Sequence, residues 1–168
     1  MEASEGDVMI ASTRIVVTAD ERPSYEELCE QLKCSPDIEI AGRACDGKEV
    51  IAAVGRLNPD ILILDIDLLG IGGLELLPAV RWWSPDTKVI IHSSRAEEAT
   101  IREAIELGAR GYIVKSDDIP MDKAIRAVQQ GEVWVRRRLI AMIIDELIAM
   151  TEWPIPPEEP EWIVASSC

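Results

Sequence analysis

Five short apolar runs, rich in β-branched residues, recur along the chain. They lie at Arg14–Thr18, Ile38–Gly42, Ile61–Leu64, Lys88–Ile91 and Gly111–Val114. Each run is followed by a segment in which apolar residues recur at helical spacing. Near-continuous apolar runs are typical of strands buried on both faces, and their alternation with helices indicates βαβ units. The pattern therefore predicts an α/β fold over residues 13–131, with a doubly wound five-stranded parallel sheet of order 2-1-3-4-5.

Capping residues and glycines mark the predicted helix ends. Three segments place a capping residue three positions before a glutamate, which is the spacing of a reciprocal capping box: Ser24–Glu27, Asp46–Glu49 and Ser94–Glu97. Gly108 and Gly131 follow helical apolar patterns and predict helix ends.

A further apolar segment follows these units. Between Leu139 and Met150 apolar residues recur at helical spacing, so residues 132–152 are predicted to contain an extra C-terminal helix. Residues 153–168 are rich in proline and glutamate and predict a tail or linker. A helix this apolar must pack on a partner or on its own domain. We expect a homodimer rather than intramolecular docking, with an interface formed by Leu139, Ile143, Ile144 and Leu147.

Charge and composition narrow the classes of partner. Among 168 residues, 17 are basic and 31 acidic, giving a formal net charge of −14. Such a chain repels nucleic-acid phosphates and anionic membranes, so this segment is not expected to bind either. No export signal or membrane span is visible, and we expect a cytoplasmic protein. Cys29, Cys34 and Cys45 match no zinc spacing and are expected to be reduced and buried.

Four polar residues follow the predicted strands at their carboxyl ends: Asp20, Asp65, Ser93 and Lys115. In open parallel sheets ligands bind at this edge, and order 2-1-3-4-5 makes strands one and three neighbours. Two adjacent carboxylates call for a cation, and an all-oxygen site suits Mg²⁺. A carboxylate can also act as a nucleophile towards a phosphoryl group. The alternative is that each residue simply begins a loop.

An ordered set of motifs resembles one known family. The matching runs are Pro36–Glu39, Asp46–Gly47, Pro59–Asp65, Gly73–Leu77, Asp86–Val89, Ala104–Lys115, Ala124–Val128 and Gly131. Residues 13–131 resemble the receiver domain of two-component response regulators, especially the NarL/FixJ-type branch. The resemblance implies a flavodoxin-like fold without enzymatic activity. It also implies a switch that accepts a phosphoryl group from a histidine kinase and controls an output such as transcription.

The resemblance also implies residue roles at the strand ends. Asp65 would be the phosphoacceptor, and Mg²⁺ would be bound by Asp20, Asp65 and the backbone carbonyl of Asp67. Ser93 would report phosphorylation through its hydroxyl, and Lys115 would pair with the phosphate.

Two further side chains near this edge each have two possible roles. Tyr112 matches the family's aromatic switch position, although a half-buried strand tyrosine is an equal alternative. His92 adjoins Ser93 on strand four and is expected to be a packed histidine rather than a phosphorelay residue.

Several positions depart from the family pattern. Ala19 replaces one of two successive acidic residues, with Glu21 as the candidate substitute, and Leu69 and Gly72 replace a proline and an acidic residue. An atypical, non-phosphorylated receiver acting as a dimerisation or protein-binding module is therefore an alternative. A flavin carrier is disfavoured, because carboxylates after strand one would repel the flavin phosphate. The family branch continues into a helix-turn-helix domain, which would begin where this chain ends at Cys168.

Overall fold

The computed structural model describes residues 11–19, 22–67 and 73–151. The strands are β1 Thr13–Thr18, β2 Ile38–Ala44, β3 Ile61–Asp65, β4 Lys88–Ser93 and β5 Gly111–Val114. The helices are α1 Arg22–Leu32, α2 Gly47–Leu57, α3 Leu76–Trp83, α4 Glu98–Glu106, α5 Met121–Gln129 and α6 Arg137–Met150. A single 3₁₀ turn, Gly73–Glu75, precedes α3.

The strands form one parallel sheet in the order β2-β1-β3-β4-β5. This arrangement confirms the predicted fold class and strand order. Strand β1 pairs with both β2 and β3, so the chain reverses its winding direction beside β1 and β3. The ends of these two strands therefore share the point where open α/β sheets form ligand sites.

Strand β3 lies at the centre of the sheet and is buried over its whole length. Ile61 and Ile63 belong to a core cluster shared with α1 and α5, where Leu28 and Ile125 contribute. Because helices cover both faces, β3 carries apolar residues at consecutive positions instead of alternating with polar ones. The strand can therefore deliver Asp65 at its carboxyl end from a rigid support.

Of the three residues predicted to cap helices, only Asp46 does so, and its Glu49 partner accepts from the amide before the cap rather than from the cap itself. Asp46 caps α2 by accepting from the Glu49 amide at 2.8 Å, and the Glu49 carboxylate accepts from the Cys45 amide at 2.7 Å. The prediction for Ser24 is wrong, because α1 begins two residues earlier, at Arg22. The prediction for Ser94 is also wrong: α4 begins at Glu98, and the Ser94 hydroxyl bonds to Asp67 instead.

Glycines terminate two helices and allow one close approach. Gly108 and Gly131 have φ values of 105° and 92°, in the left-handed region that favours glycine, as predicted for helix ends. At Gly73 a Cβ atom would lie 2.8 Å from the Ile66 Cα, so only glycine allows the chain to pass this close. This contact packs the start of the 3₁₀ turn against the residue that follows Asp65.

The expectation that the cysteines are buried is wrong. Cys29 is half-buried, and Cys34 and Cys45 are exposed. Cys34 lies in the turn after α1, and Cys45 lies between β2 and α2, so both thiols sit in connections rather than in the core.

The chain divides into two compact units, with the boundary between Arg136 and Arg137. In the second unit the structure describes α6, the predicted C-terminal helix, and Thr151. Ile144 and Leu147 are 49% and 59% exposed, whereas Leu139 is only 3% exposed. The dimer interface predicted for Leu139, Ile143, Ile144 and Leu147 stays a prediction. None of the described helices has the length and apolar character needed to cross a membrane.

Candidate functional site

Asp65 is the last residue of β3, and Thr18 at the end of β1 holds its backbone. The Asp65 amide donates to the Thr18 hydroxyl at 2.5 Å, and this hydroxyl donates to the Ile63 carbonyl at 3.0 Å. A buried side chain thus extends the pairing of β1 and β3 beyond their backbone ladder. The Asp65 carboxylate is itself only 7% exposed. A carboxylate this buried needs nearby donors to remain charged.

Lys115 supplies the principal counter-charge. Its Nζ lies 2.5 Å from Asp65 Oδ2 and 3.5 Å from Asp67 Oδ2. Its position follows from the sheet, because the Lys115 amide donates to the Ser93 carbonyl at 2.8 Å, just beyond the β4–β5 ladder. Partial burial opposes a charged ammonium, but the hydrogen bond and charge of Asp65 and the nearby Asp67 raise the pKa of Lys115. The lysine is therefore a permanent cation shared by two carboxylates.

The Asp67 side chain accepts hydrogen bonds from donors at the end of β4 and in the connection between β4 and α4. Its Oδ1 accepts from the Ser93 hydroxyl at 2.8 Å, and its Oδ2 accepts from the Ser94 amide at 2.7 Å and the Ser94 hydroxyl at 2.9 Å. Arg95 Nε lies 3.8 Å from Oδ1. Although partial burial acts in the opposite direction, the hydrogen bonds from Ser94 and Ser93 lower the pKa of Asp67. The Asp67 amide donates to Asp65 Oδ1 at 2.9 Å, which ties the two aspartates together.

A short hydrogen-bond path links this edge to Tyr112. Ser93 Oγ accepts from the Arg95 amide at 3.0 Å, and the Tyr112 hydroxyl donates to the Arg95 carbonyl at 2.9 Å. Tyr112 is only 3% exposed, and burial raises the pKa of its hydroxyl. The side chain is therefore more buried than the half-buried alternative for this tyrosine. The Tyr112 hydroxyl and the Ser93 hydroxyl therefore both bond to the backbone of Arg95, in the connection between β4 and α4.

His92 pairs with Asp65 in the β3–β4 register and is half-buried. Burial, together with the charge of Lys115, lowers the pKa of His92. His92, Asp65 and Lys115 line a cavity of about 140 Å³ between the sheet and α1. The histidine is packed, as expected from its place beside Ser93.

The donor set of this edge fits a hard cation. The described ligand candidates are oxygen atoms, the carboxylate of Asp65 and the backbone carbonyl of Asp67, and Mg²⁺ prefers such ligands. Within the described ranges no group of three or more histidine, cysteine, aspartate or glutamate side chains forms a metal cluster. The predicted ligand Asp20 and its neighbour Glu21 lie outside the described residues, as do Leu69 and Gly72.

The structure brings together Asp65, Asp67, Ser93, Tyr112 and Lys115 of the predicted site residues. Sequence reasoning missed three contributions: the Thr18 hydroxyl, the Ser94 amide and hydroxyl, and the use of the Asp67 side chain rather than only its carbonyl. The spacing of two aspartates two residues apart was visible in the sequence. A strand-end threonine carried no comparable signal, because polar residues end strands in most proteins.

The sheet order and the cluster at its carboxyl edge define a receiver-type protein. A family model described as the response regulator receiver domain matches residues 15–127. The chain belongs to this family.

Two curated relatives and one solved structure illustrate the similarity. The chain is 30% identical over 137 residues to the nitrate/nitrite response regulator protein NarL of Escherichia coli, covering 80% of this chain and 63% of that protein. It is 37% identical over 102 residues to a protein-glutamate methylesterase/protein-glutamine glutaminase of Geobacter sulfurreducens, covering 61% of this chain and 27% of that protein. A two-component response regulator of the LuxR family from Aurantimonas sp. SI85-9A1 matches with a TM-score of 0.72 and 27% identity, covering 82% of this chain and 99% of that chain.

These relatives confirm the resemblance to NarL-type regulators. Most of the curated relatives are response regulators or transcriptional regulators. The matched stretch spans only 27% of the methylesterase and less than two thirds of NarL. The activities of these whole proteins are therefore carried over to this chain only as proposals.

Proposed function

We propose that this chain is a phosphorylation-controlled switch in which Asp65 accepts a phosphoryl group from a histidine kinase. The observation that carries the proposal is the buried Asp65 carboxylate beside the Lys115 ammonium, at 2.5 Å. In the transfer, an Asp65 oxygen forms a bond to phosphorus while the phosphorus–nitrogen bond to the kinase histidine breaks. Lys115 offsets the negative charge on the transferring group.

Mg²⁺ belongs to this proposal as a cofactor. Asp65, the Asp67 carbonyl and Asp20 would hold it, and the ion would neutralise negative charge on the phosphoryl oxygens. The residues of this chain perform the remaining tasks. Thr18 fixes the backbone of Asp65, and Ser93 presents a hydroxyl that can follow a new phosphoryl oxygen.

The proposed output is a change in how copies of this chain associate, and this change would control transcription. We place the protein in the cytoplasm as part of the same proposal. The exposed apolar side chains of α6 support a homodimer: Ile144, Leu147, Ile148 and Met150 are 49%, 59%, 54% and 81% exposed. Exposed apolar groups on one helix gain free energy by packing against a second copy. Light scattering on the intact chain and on a version ending at Arg136 tests this part. A monomeric intact chain, or a dimer that persists after truncation, excludes α6 as the interface.

The acceptor itself is tested by labelling with acetyl phosphate and Mg²⁺, followed by intact mass measurement. We expect one phosphoryl group on the natural chain and none on Asp65→Asn. Asp118→Ala is a matched control, because it removes an exposed carboxylate three residues after Lys115. If the natural chain stays unlabelled while another receiver in the same tube is labelled, the chain is a non-phosphorylated interaction module instead.

A further inference from the structure

The Asp67 carboxylate already occupies the hydrogen-bond donors at the carboxyl edge of the sheet. Its two oxygens accept from the Ser93 hydroxyl, the Ser94 amide and the Ser94 hydroxyl, all within 2.9 Å. Lys115 Nζ lies 3.5 Å from the same carboxylate. These contacts involve both the side chain predicted to report phosphorylation and the cation predicted to pair with the phosphate. The Asp67 carboxylate therefore already occupies the donors that a phosphoryl group on Asp65 would use.

A phosphoryl group on Asp65 would compete for these same donors. It carries three strong acceptor oxygens and close to two negative charges. Lys115 bridges the carboxylates of Asp65 and Asp67, so a group attached to Asp65 comes within reach of the donors around Asp67. Each Asp67 oxygen is engaged, and the Ser93 hydroxyl has only one proton to donate. Phosphoryl oxygens and Asp67 oxygens cannot both receive that proton.

We propose that the Asp67 side chain is an internal competitor of the phosphoryl group. In the unphosphorylated chain it holds Ser93, and through Ser93 it holds the Arg95–Tyr112 link in place. Phosphorylation of Asp65 then has to displace the Asp67 carboxylate from Ser93 and Ser94. The second half of this inference rests on the proposed function, whereas the first half concerns the unphosphorylated chain alone.

Two physical consequences follow for the Asp67 side chain. Its negative charge lies beside the site where further negative charge arrives, so it opposes accumulation of the phosphoryl group. Its hydrogen bonds also keep the loop of Ser93 in one position without phosphate, so Tyr112 stays buried. Removal of the carboxylate should therefore speed labelling and release the loop. A purely structural residue would show only a loss of stability.

The variants Asp67→Asn and Asp67→Ala test the inference on the full chain. Both retain the backbone carbonyl and amide of residue 67. Asparagine can still accept from the Ser94 amide but cannot offer two acceptor oxygens, whereas alanine offers none. Asp118→Ala is again the control for loss of one exposed carboxylate in the same region.

The first measurement is the initial rate of labelling with acetyl phosphate and Mg²⁺. We expect a rise of about tenfold for Asp67→Ala, a smaller rise for Asp67→Asn, and no change for Asp118→Ala, since charge-assisted hydrogen bonds are lost. A rate for Asp67→Ala equal to or below that of the natural chain overturns the competition.

The second measurement is the amide proton shift of Ser94 by NMR, without any phosphodonor. We expect an upfield shift and faster hydrogen exchange in Asp67→Ala, because the 2.7 Å bond to the carboxylate is lost. An unchanged Ser94 amide overturns the holding role of Asp67. If no variant is labelled, the proposed function and the competition both fail, while the Ser94 signal still decides whether Asp67 holds the loop.

Discussion

Two clusters of charged side chains lie at opposite edges of the same sheet and differ in burial. Before β2, Arg126 donates to both oxygens of Asp37 at 2.8 and 3.0 Å, to Asp122 at 2.7 Å and to Ser35 at 3.1 Å. After β3, Lys115 is shared by Asp65 and Asp67. The Asp37 and Arg126 side chains are about one-third exposed, whereas Asp65 is only 7% exposed.

This difference in exposure distinguishes charges that stabilise the fold from charges that are available for chemistry. The guanidinium of Arg126 matches its carboxylate partner in a bidentate geometry, and solvent screens what remains. At the other edge, a buried carboxylate is held by an ammonium that it shares with a second carboxylate, and the Arg95 guanidinium lies 3.8 Å from that second carboxylate. A partly exposed, bidentate ion pair stabilises the fold, whereas a buried carboxylate beside a lysine is a candidate for chemistry.

The largest effect is expected on removal of the metal, which should abolish most of the labelling at the carboxyl edge and leave the Asp37–Arg126 cluster unchanged. Chelation of Mg²⁺ with EDTA should reduce labelling by acetyl phosphate at least about a hundredfold, since the ion offsets charge that Lys115 alone cannot. The Asp37–Arg126 cluster holds no metal candidate, so the urea midpoint should stay the same in EDTA. Labelling that proceeds equally well in EDTA would show that Lys115 suffices.

The next effect concerns how Thr18 supports the carboxyl edge. Thr18→Val keeps the side-chain volume but leaves the Asp65 amide and the Ile63 carbonyl without this partner, so the free energy of unfolding should fall by about 2 kcal/mol. Urea denaturation measures this loss. Thr18→Ser retains the hydroxyl and should lose less than half as much. Equal losses in the two variants would assign the effect to packing instead.

A charge added beside the acceptor should sharpen the contrast further. Ala19→Asp supplies the second acidic residue of the family pattern, so Mg²⁺ affinity should rise by about tenfold, as measured by calorimetry. Ala19→Asn is the uncharged control, because it adds similar bulk at a residue that is only 3% exposed. An unchanged affinity in Ala19→Asp would indicate that Glu21 or water already provides this ligand.

The smallest effect is expected at the Asp37–Arg126 cluster. The hydrogen bonds from Arg126 lower the pKa of Asp37, so this ion pair adds stability above the ordinary aspartate pKa of 3.8 and loses it as pH falls through the lowered value. Asp37→Asn should therefore lower the urea midpoint at pH 7, by less than Thr18→Val does. The difference from the natural chain should shrink below pH 3.8. A difference that persists in acid would exclude the ion pair as its source.

The fold was predictable because its signals are local. The buried runs at Ile61–Leu64 and Gly111–Val114 set the strands, and Gly108 marks a helix end by its backbone conformation. The position of Asp65 followed from the strand that carries it. The predicted roles of Ser24 and Ser94 as caps failed, because a serine near a helix start has several partners within reach.

The side-chain network of the site was harder to predict. The Thr18 hydroxyl bonds to a residue 47 positions along the chain, and Ser94 bonds to one 27 positions away. Such contacts depend on the register of neighbouring strands, and a strand that is apolar at consecutive positions, such as β3, has no alternation from which that register can be read. The prediction that Asp67 uses its carbonyl concerned a metal ligand, whereas its carboxylate contacts arise from the packing of the β4–α4 connection.

The central claim is that Asp65, at the carboxyl edge of the sheet, accepts the phosphoryl group. The most direct measurement maps the modified residue: the labelled chain is reduced with borohydride, which converts an aspartyl phosphate to homoserine, and its peptides are sequenced by mass spectrometry. We predict homoserine at position 65 alone. Homoserine at Asp67 or Asp37, or a fully unmodified chain under conditions that label another receiver, would contradict the account.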